Sequence, residues 1–233
     1  MADPVANMPG GGLIVAVDGP SGTGKSTMCR ALAKRMGAKY VDTGAMYRVA
    51  TLAVLRAGVD PADTARVIEV TADLPLAVSD DPDSTQVLFG GEDVKDEIRG
   101  PEVTRHVSAV SAIPEVRVNL VELQRKLARE AGRAIVEGRD IGTVVLPDAP
   151  AKIFMTASAE VRAQRRYNQD IAAGREADFD AVLADVQRRD DADSSRAASP
   201  LRPAEDAVLV DTSELTRDEV LKALTAVVER SAR

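Results

Sequence analysis

Short apolar runs recur along the chain, and longer segments with apolar residues at helical spacing separate them. The runs are residues 13–17, 38–41, 133–136, 152–155 and 207–210. Short runs that alternate with helical segments are typical of strands buried in a parallel sheet. The pattern therefore predicts an α/β fold with a doubly wound, parallel, five-stranded sheet.

Helical patterns lie between and after these runs. One helix is predicted after Lys25, from about Ser26, and others cover residues 45–56 and 114–129. The last helix opens with a Thr-x-x-Glu capping box at residues 216–219 and is predicted to run to about residue 229.

Two stretches interrupt this alternation. Between residues 74 and 94 the pattern changes to short alternating segments with Gly90 and Gly91 as a turn, which predicts a small antiparallel insert. Between residues 158 and 202 lie two charged helices separated by Gly174. The second has little apolar face, so the pair is either a mobile flap or a solvated structural hairpin.

Composition limits the partners and the compartment. The chain has 233 residues, which fits one domain, and its net charge of −7 argues against nucleic acid or an anionic membrane as a partner. No run of about 18 apolar residues occurs. Cys29 is the only cysteine, which excludes an internal disulfide and favours a cytoplasmic location. Residues 1–12 are glycine-rich and are predicted to form a disordered leader.

A phosphate-binding loop follows the first predicted strand. Residues 19–26 match the motif G-x-x-x-x-G-K-[ST], with a strand before them and a helix after them. Glycines let the backbone N–H groups point inward at a polyphosphate, Lys25 reaches the β- and γ-phosphates, and the Ser26 hydroxyl can ligate Mg²⁺. We therefore expect ATP and Mg²⁺, with the nucleotide contacted by Gly19, Pro20, Ser21, Gly22, Thr23, Gly24, Lys25, Ser26 and Thr27.

Such a loop alone does not separate kinases from GTPases, motor ATPases or binding modules. The chain has no Asn/Thr-Lys-x-Asp guanine motif, and no apolar strand ends in the Asp-Glu pair of a motor ATPase. A GTP switch and a motor are therefore both disfavoured.

A candidate acceptor site begins at the end of the second predicted strand. Thr43, Tyr47 and Arg48 supply a hydroxyl, an aromatic ring with a polar tip and a fixed cation. The carboxyl edge of an open α/β sheet is where such folds bind ligands, so these groups suit a phosphate and a sugar. The alternative is the exposed start of a surface helix.

The next core strand, residues 133–136, is expected to end at the same edge with a second pair of charges. Arg139 can hold a phosphate bidentately, and Asp140 can accept a hydrogen bond from an exocyclic amine. A structural ion pair between Arg139 and Asp140 is the alternative.

The two charged helices carry cations at helical spacing. Arg162, Arg165 and Arg166 form one stripe, and a second stripe consists of Arg189, Asp193 and Arg196. A solvated face is the usual explanation for such a run. Beside a phosphate loop, a lid that closes guanidinium groups over the transferred phosphoryl group is favoured, with Arg162 and Arg166 at the ATP.

Taken together, these motifs resemble those of the bacterial cytidylate kinase family, from residue 13 to the C-terminal helix. The matching stretches are VDGPSGTGKST, YVDTGAMYRVA, VSAVSAIPEVR, EGRDIGTVVLPDAP and RRDDADSSRAASPL, in the family's order. The resemblance implies transfer of the γ-phosphoryl group of ATP to CMP or dCMP by a monomer. It implies a single kinase domain, with a core of residues 13–42, 108–157 and 203–233, a monophosphate-binding region at about 43–107 and a lid at about 158–202.

The resemblance also implies individual roles in the acceptor site. Ser108, Arg117 and Asp140 would contact the cytosine. Arg48 and Arg139 would hold the acceptor phosphate beside Thr43 and Tyr47. The sugar would be contacted by Arg189 and Asp193, with Arg196 completing the lid.

The sequence departs from the family pattern at two places. Thr43 replaces a serine that is common there, and Ala192 and Ser194 stand in a lid segment where some relatives have additional arginines. Three alternatives remain open: a kinase for UMP or AMP, a small-metabolite kinase of the shikimate type, and an ATP-binding module without turnover.

Overall fold

A computed structural model describes residues 12–231 of the chain. The predicted leader therefore lies outside the described residues, apart from Gly12. The strands in chain order are β1 (Leu13–Asp18), β2 (Lys39–Asp42), β3 (Leu76–Val78), β4 (Val87–Phe89), β5 (Glu92–Asp93), β6 (Arg133–Glu137), β7 (Ala151–Thr156) and β8 (Val208–Asp211). The α-helices are α1 (Lys25–Met36), α2 (Thr43–Arg56), α3 (Thr64–Thr71), α4 (Pro101–Ser111), α5 (Pro114–Ala131), α6 (Ala159–Ala172), α7 (Phe179–Ser194) and α8 (Arg217–Ser231).

The predicted five-stranded sheet is confirmed. Its order is β2-β6-β1-β7-β8, and all four pairings are parallel. Val17 of β1 lies opposite Glu137 of β6, which in turn lies opposite Asp42 of β2. This register brings the carboxyl ends of three strands to one edge, where the phosphate loop, the start of α2 and the residues after β6 meet.

Helices cover both faces of the sheet because successive strand residues point to opposite sides. Ile135 of β6 packs in the core that includes Leu32 of α1 and Leu224 of α8. Its neighbour Val136 packs in the core on the other face, which includes residues of α2 and α5 such as Met46. The sheet is therefore buried on both sides, as a doubly wound fold requires.

The predicted antiparallel insert is also confirmed. Strands β3, β4 and β5 form a three-stranded antiparallel sheet in that order. Its first loop is attached to the core, since the backbone N–H of Tyr40 donates to the carbonyl of Asp80 at 2.8 Å. Helices α3 and α4 were not predicted, although Asp63 caps the first and Pro101 begins the second.

Two helices, α6 and α7, occupy the charged region that the sequence assigns to a lid. They pack side by side, and the ring of Tyr167 meets that of Phe179 edge to face, with centroids 6.3 Å apart. The helices and their separation at Gly174 agree with the prediction.

We expect Gly19→Ala to destabilise the fold. Gly19 has φ +143°, and a Cβ there would lie 2.0 Å from the Met155 carbonyl oxygen of the neighbouring strand β7. The free energy of unfolding, measured in urea, should fall by about 2 kcal/mol or more. Gly90→Ala is the control, because Gly90 has φ +59° with nothing within 4 Å, and should cost only about 1 kcal/mol. Equal losses would contradict the steric explanation.

Candidate active site

The phosphate loop curls around the amine of Lys25. Gly22 and Gly24 have φ of +82° and +89°, which glycine adopts without strain. The Lys25 Nζ donates to the carbonyls of Gly19 and Pro20, at 2.7 Å in each case. Burial lowers the pKa of Lys25, and the nearby Arg139 lowers it further. The Lys25 amine therefore lies in a buried pocket, where a bound phosphate would favour its protonated, positively charged form.

A carboxylate that the sequence analysis missed faces the start of α1. Glu137 accepts from the Ser26 hydroxyl at 2.9 Å and from the Tyr40 hydroxyl at 2.6 Å. Burial raises the pKa of Glu137. Its position at the carboxyl end of a central strand could have indicated a place in the site, since parallel strands bring such residues to one edge.

An open cleft lies beside the phosphate loop. The structure brings into its lining all ten residues expected to contact the acceptor: Thr43, Tyr47, Arg48, Ser108, Arg117, Arg139, Asp140, Arg189, Asp193 and Arg196. They come from the start of α2, the helices α4 and α5, the residues after β6, and the lid. The roles of the individual residues remain predictions.

At one side of the cleft, Arg117 forms an ion pair with Asp140. Both side chains are buried, and the Arg117 guanidinium lies 5.3 Å from the centre of the Tyr47 ring. Burial raises the pKa of Asp140, and Arg117 opposes that shift. Asp140 thus pairs with Arg117 and not with its neighbour Arg139, so the local ion pair considered from the sequence does not form.

Arg139 connects the cleft to the phosphate loop and to the lid. Its Nη1 donates to the Gly19 carbonyl at 3.0 Å, and its Nε lies 3.0 Å from an Asp193 carboxylate oxygen. The same carboxylate pairs with Arg196. Asp193 therefore balances two arginines.

A second group of cations lines the same cleft. Arg48 donates to the Ile98 carbonyl at 2.8 Å and the Thr104 hydroxyl at 2.9 Å. Burial lowers the pKa of Arg48 to about 10, and Arg189 and Arg99 add to the effect. Burial also lowers the pKa of Arg189. Such crowding of cations would be relieved by an anion.

The three arginines of α6 do not share one environment: Arg162 and Arg165 lie at the phosphate loop, whereas Arg166 does not. Arg162 pairs with Asp190 of α7 at 2.6 Å and donates to the Ser21 carbonyl of the phosphate loop at 3.3 Å. Arg165, which was not assigned a role from the sequence, donates to the carbonyls of Thr23 and Thr212. The stripe thus ties α6 to the phosphate loop.

Arg166 points elsewhere. Its Nε lies 4.0 Å from Asp170, and its charge helps to lower the pKa values of Arg48 and Arg189, after burial and nearer charges. The structure thus places Arg166 toward the acceptor arginines, and its contact with ATP stays a prediction.

Asp18, the last residue of β1, was also missed. Its carboxylate accepts from the backbone N–H groups of Ile141 and Gly142, both at 2.8 Å, at the start of the π-helical turn Ile141–Val145. Burial raises the pKa of Asp18 to about 6, and the hydrogen bonds from these two residues oppose that rise. Its position at the end of the strand, directly before the phosphate loop, could have indicated that Asp18 lies near the site.

The family model for cytidylate kinase matches residues 15–230. The chain belongs to the cytidylate kinase family. It is 71% identical over 225 residues to a cytidylate kinase of Corynebacterium glutamicum, covering 97% of this chain and 98% of the relative. It is 66% identical over 220 residues to a cytidylate kinase of Rhodococcus opacus, covering 94% and 96%.

Among solved structures, a gluconokinase of Sinorhizobium meliloti has a similar fold. The TM-score is 0.50 at 16% identity, with 95% of this chain and 93% of that chain covered.

No helix within residues 12–231 is both long enough and apolar enough to cross a membrane.

The raised pKa of Asp18 predicts a pH dependence of stability. Between about pH 4 and 6 the folded protein keeps a proton that the unfolded chain has released, so the contribution of Asp18 to the free energy of unfolding falls as the pH rises. Asp18→Asn removes this titration. The stability of wild type relative to Asp18→Asn should fall by up to about 3 kcal/mol between about pH 4 and 7, measured by urea unfolding. A pH-independent difference would contradict the burial of a titrating carboxyl group.

Proposed function

We propose that the chain transfers the γ-phosphoryl group of ATP to CMP or dCMP, giving ADP and CDP or dCDP. The observation that best supports this function is a backbone carbonyl that accepts hydrogen bonds from both the phosphate loop and the cleft. The Gly19 carbonyl accepts from Lys25 at 2.7 Å and from Arg139 at 3.0 Å. A cation of the phosphate loop and a cation of the acceptor cleft therefore lie within one hydrogen-bonded group, which supports in-line transfer between two anions held at these cations.

ATP would occupy the loop before α1. The backbone N–H groups of residues 19 and 21–27 would hold its phosphates at the positive end of the helix, with Lys25 at the β- and γ-phosphates. Arg162 already contacts this loop through the Ser21 carbonyl, which fits a place beside the nucleotide. Arg166 would approach on closure of the lid.

Mg²⁺ would be held at Ser26, and the donor set suits it. The Ser26 hydroxyl and the Glu137 carboxylate are 2.9 Å apart, and Mg²⁺ prefers hard oxygen ligands. Within residues 12–231 no group of three or more His, Cys, Asp or Glu side chains could hold a metal, so the phosphates of ATP would supply further ligands. The ion would neutralise charge on the transferred phosphoryl group.

Cytosine would lie against the Arg117–Asp140 pair. Asp140 can accept from the exocyclic amine, and Arg117 can donate to the ring acceptors beside it. Ser108 lines the same part of the cleft. Uracil carries a carbonyl where cytosine carries the amine, so it would face Asp140 with acceptor against acceptor.

The phosphate and the sugar would lie toward the loop and the lid. Arg48 and Arg139 would hold the phosphate, with the hydroxyls of Thr43 and Tyr47 beside them. Thr43 retains the hydroxyl that a serine would offer and uses its proton on the Glu137 carbonyl at 2.7 Å. The sugar would meet Arg189 and Asp193 under Arg196.

No side chain is needed to remove a proton from the acceptor. A phosphate monoester has a second pKa of about 6, so at neutral pH CMP is mostly a dianion. Catalysis would then consist of aligning the two phosphates and neutralising their repulsion with Lys25, Arg139, Arg189 and Arg196. His106 lies on α4, with Nε2 3.9 Å from Glu102, and is given no catalytic part. The monomeric state and the cytoplasmic location remain predictions from the sequence.

A panel of acceptors tests the function. ADP release should be fast with CMP or dCMP, slower with UMP, and near background with AMP and shikimate. Uracil lacks the amine that Asp140 would accept from, adenine carries an amine on a larger purine ring, and shikimate has neither a base nor a phosphate. Equal rates near background with every acceptor would favour an ATP-binding module without turnover.

Arg139→Ala should lower kcat by about 100-fold to 1000-fold, because it removes a cation placed at the transferred phosphoryl group. ATP binding should be retained. Arg105→Ala is the matched control, because Arg105 is an exposed residue of α4 that pairs with Glu102 outside the cleft. Unchanged CMP-dependent turnover in Arg139→Ala would remove Arg139 from the site.

A further inference from the structure

The turn that carries Arg139 and Asp140 is attached to the end of β1 by four hydrogen bonds. Two of them involve the backbone of β1 and the phosphate loop: the Gly138 N–H donates to the Val17 carbonyl at 3.0 Å, and Arg139 donates to the Gly19 carbonyl at 3.0 Å. The other two end on the carboxylate of Asp18, at 2.8 Å each. Residues 138–142 thus follow the position of residues 17–19.

Asp18 is the one side chain of β1 in this set of four contacts. It is only 3% exposed, so water cannot readily replace it as the acceptor for the N–H groups of Ile141 and Gly142. One carboxylate oxygen serves each N–H, and hydrogen bonds to a charged acceptor are stronger than those between neutral groups. Burial raises the pKa of Asp18, whereas these two hydrogen bonds and the charge of Lys25, on the first turn of α1, favour the ionised carboxylate.

We propose that Asp18 is a positioning residue for the acceptor nucleotide: by holding the N–H groups of Ile141 and Gly142, it fixes Arg139 and Asp140 relative to the phosphate loop. This inference rests on the proposed function and extends it to a residue outside the lining of the cleft. Asp18 does not touch either substrate. It acts through the turn, and it links the two sites because it directly precedes Gly19.

The link has a distinct kinetic consequence. Arg139 and Asp140 would contact opposite ends of CMP, so a shift of their turn would weaken acceptor binding and misalign the acceptor phosphate together. The phosphate loop keeps its own contacts, including those from Lys25 to the carbonyls of Gly19 and Pro20. Loss of the Asp18 carboxylate should therefore affect the acceptor and spare ATP.

Asp18→Asn tests the proposal with little change in shape. An amide offers one acceptor where the carboxylate offers two, and its NH₂ group would meet one backbone N–H donor to donor. We expect kcat/KM for CMP to fall by about 10-fold to 100-fold, through a higher KM and a lower kcat. The Kd of a non-hydrolysable ATP analogue, measured by calorimetry without acceptor, should change by less than about threefold. Asp18→Ala should show a larger loss of kcat/KM for CMP, again with little change in the Kd of the ATP analogue.

Asp63→Asn is the matched control. Asp63 also accepts from a backbone N–H, that of Arg66 at 3.2 Å, but it caps α3 outside the cleft. It should leave the KM for CMP unchanged. An unchanged KM in Asp18→Asn, or a loss of ATP affinity in the same proportion as the loss in kcat/KM, would overturn the positioning role.

Two further measurements keep the outcomes separate. Wild-type turnover with CMP is measured first, and its absence would refute the proposed function itself. If neither Asp18 variant folds, amide hydrogen exchange in the wild-type protein decides: the N–H groups of Ile141 and Gly142 should be strongly protected without CMP. Exchange at the rate of free amides would overturn the proposal.

Discussion

The carbonyl oxygen of Gly19 accepts hydrogen bonds from both Lys25 and Arg139, and the arrangement of the site depends on this junction. Lys25 belongs to the phosphate loop, and Arg139 belongs to the turn after β6. The parallel register of β1 and β6 makes the junction available, because Val17 lies opposite Glu137 at the carboxyl edge of the sheet. A loop that binds polyphosphate and a cleft lined by arginines thereby share one wall.

The density of buried positive charge in the cleft needs a counter-charge. Asp193 balances Arg139 and Arg196, whereas burial and neighbouring cations lower the pKa values of Arg48 and Arg189. Bringing guanidinium groups together in a poorly hydrated site is unfavourable unless an anion neutralises them. Two phosphates meeting between these cations would both satisfy this requirement and be brought into line, so binding and catalysis would use the same groups.

Much of this architecture could be predicted from the sequence because its signals are local. The apolar runs predicted the five strands, and the glycines before Lys25 predicted the phosphate loop. The strand ends at which Glu137 and Asp18 lie indicate the binding edge of the sheet, but the bonding partners of Glu137, Asp18 and Arg165 could not be predicted in this way. Each makes contacts with residues far along the chain: Glu137 bonds Ser26 across 111 positions, and Arg165 bonds Thr23 across 142. Their partners are set by strand register and helix packing, which a pattern along the chain does not specify. The local alternative at Arg139 and Asp140 failed for the same reason, since Asp140 pairs with Arg117, 23 positions away.

On this account, the phosphate loop and the arginine-lined cleft form one continuous site for two nucleotides. The most direct test is the affinity of a dinucleotide in which adenosine and cytidine are joined through five phosphates, measured by calorimetry beside ATP and CMP alone. A continuous site predicts binding at least about 100-fold tighter than that of either nucleotide, because both halves are held at once. Binding of the dinucleotide no tighter than that of ATP, with CMP still binding on its own, would contradict the claim.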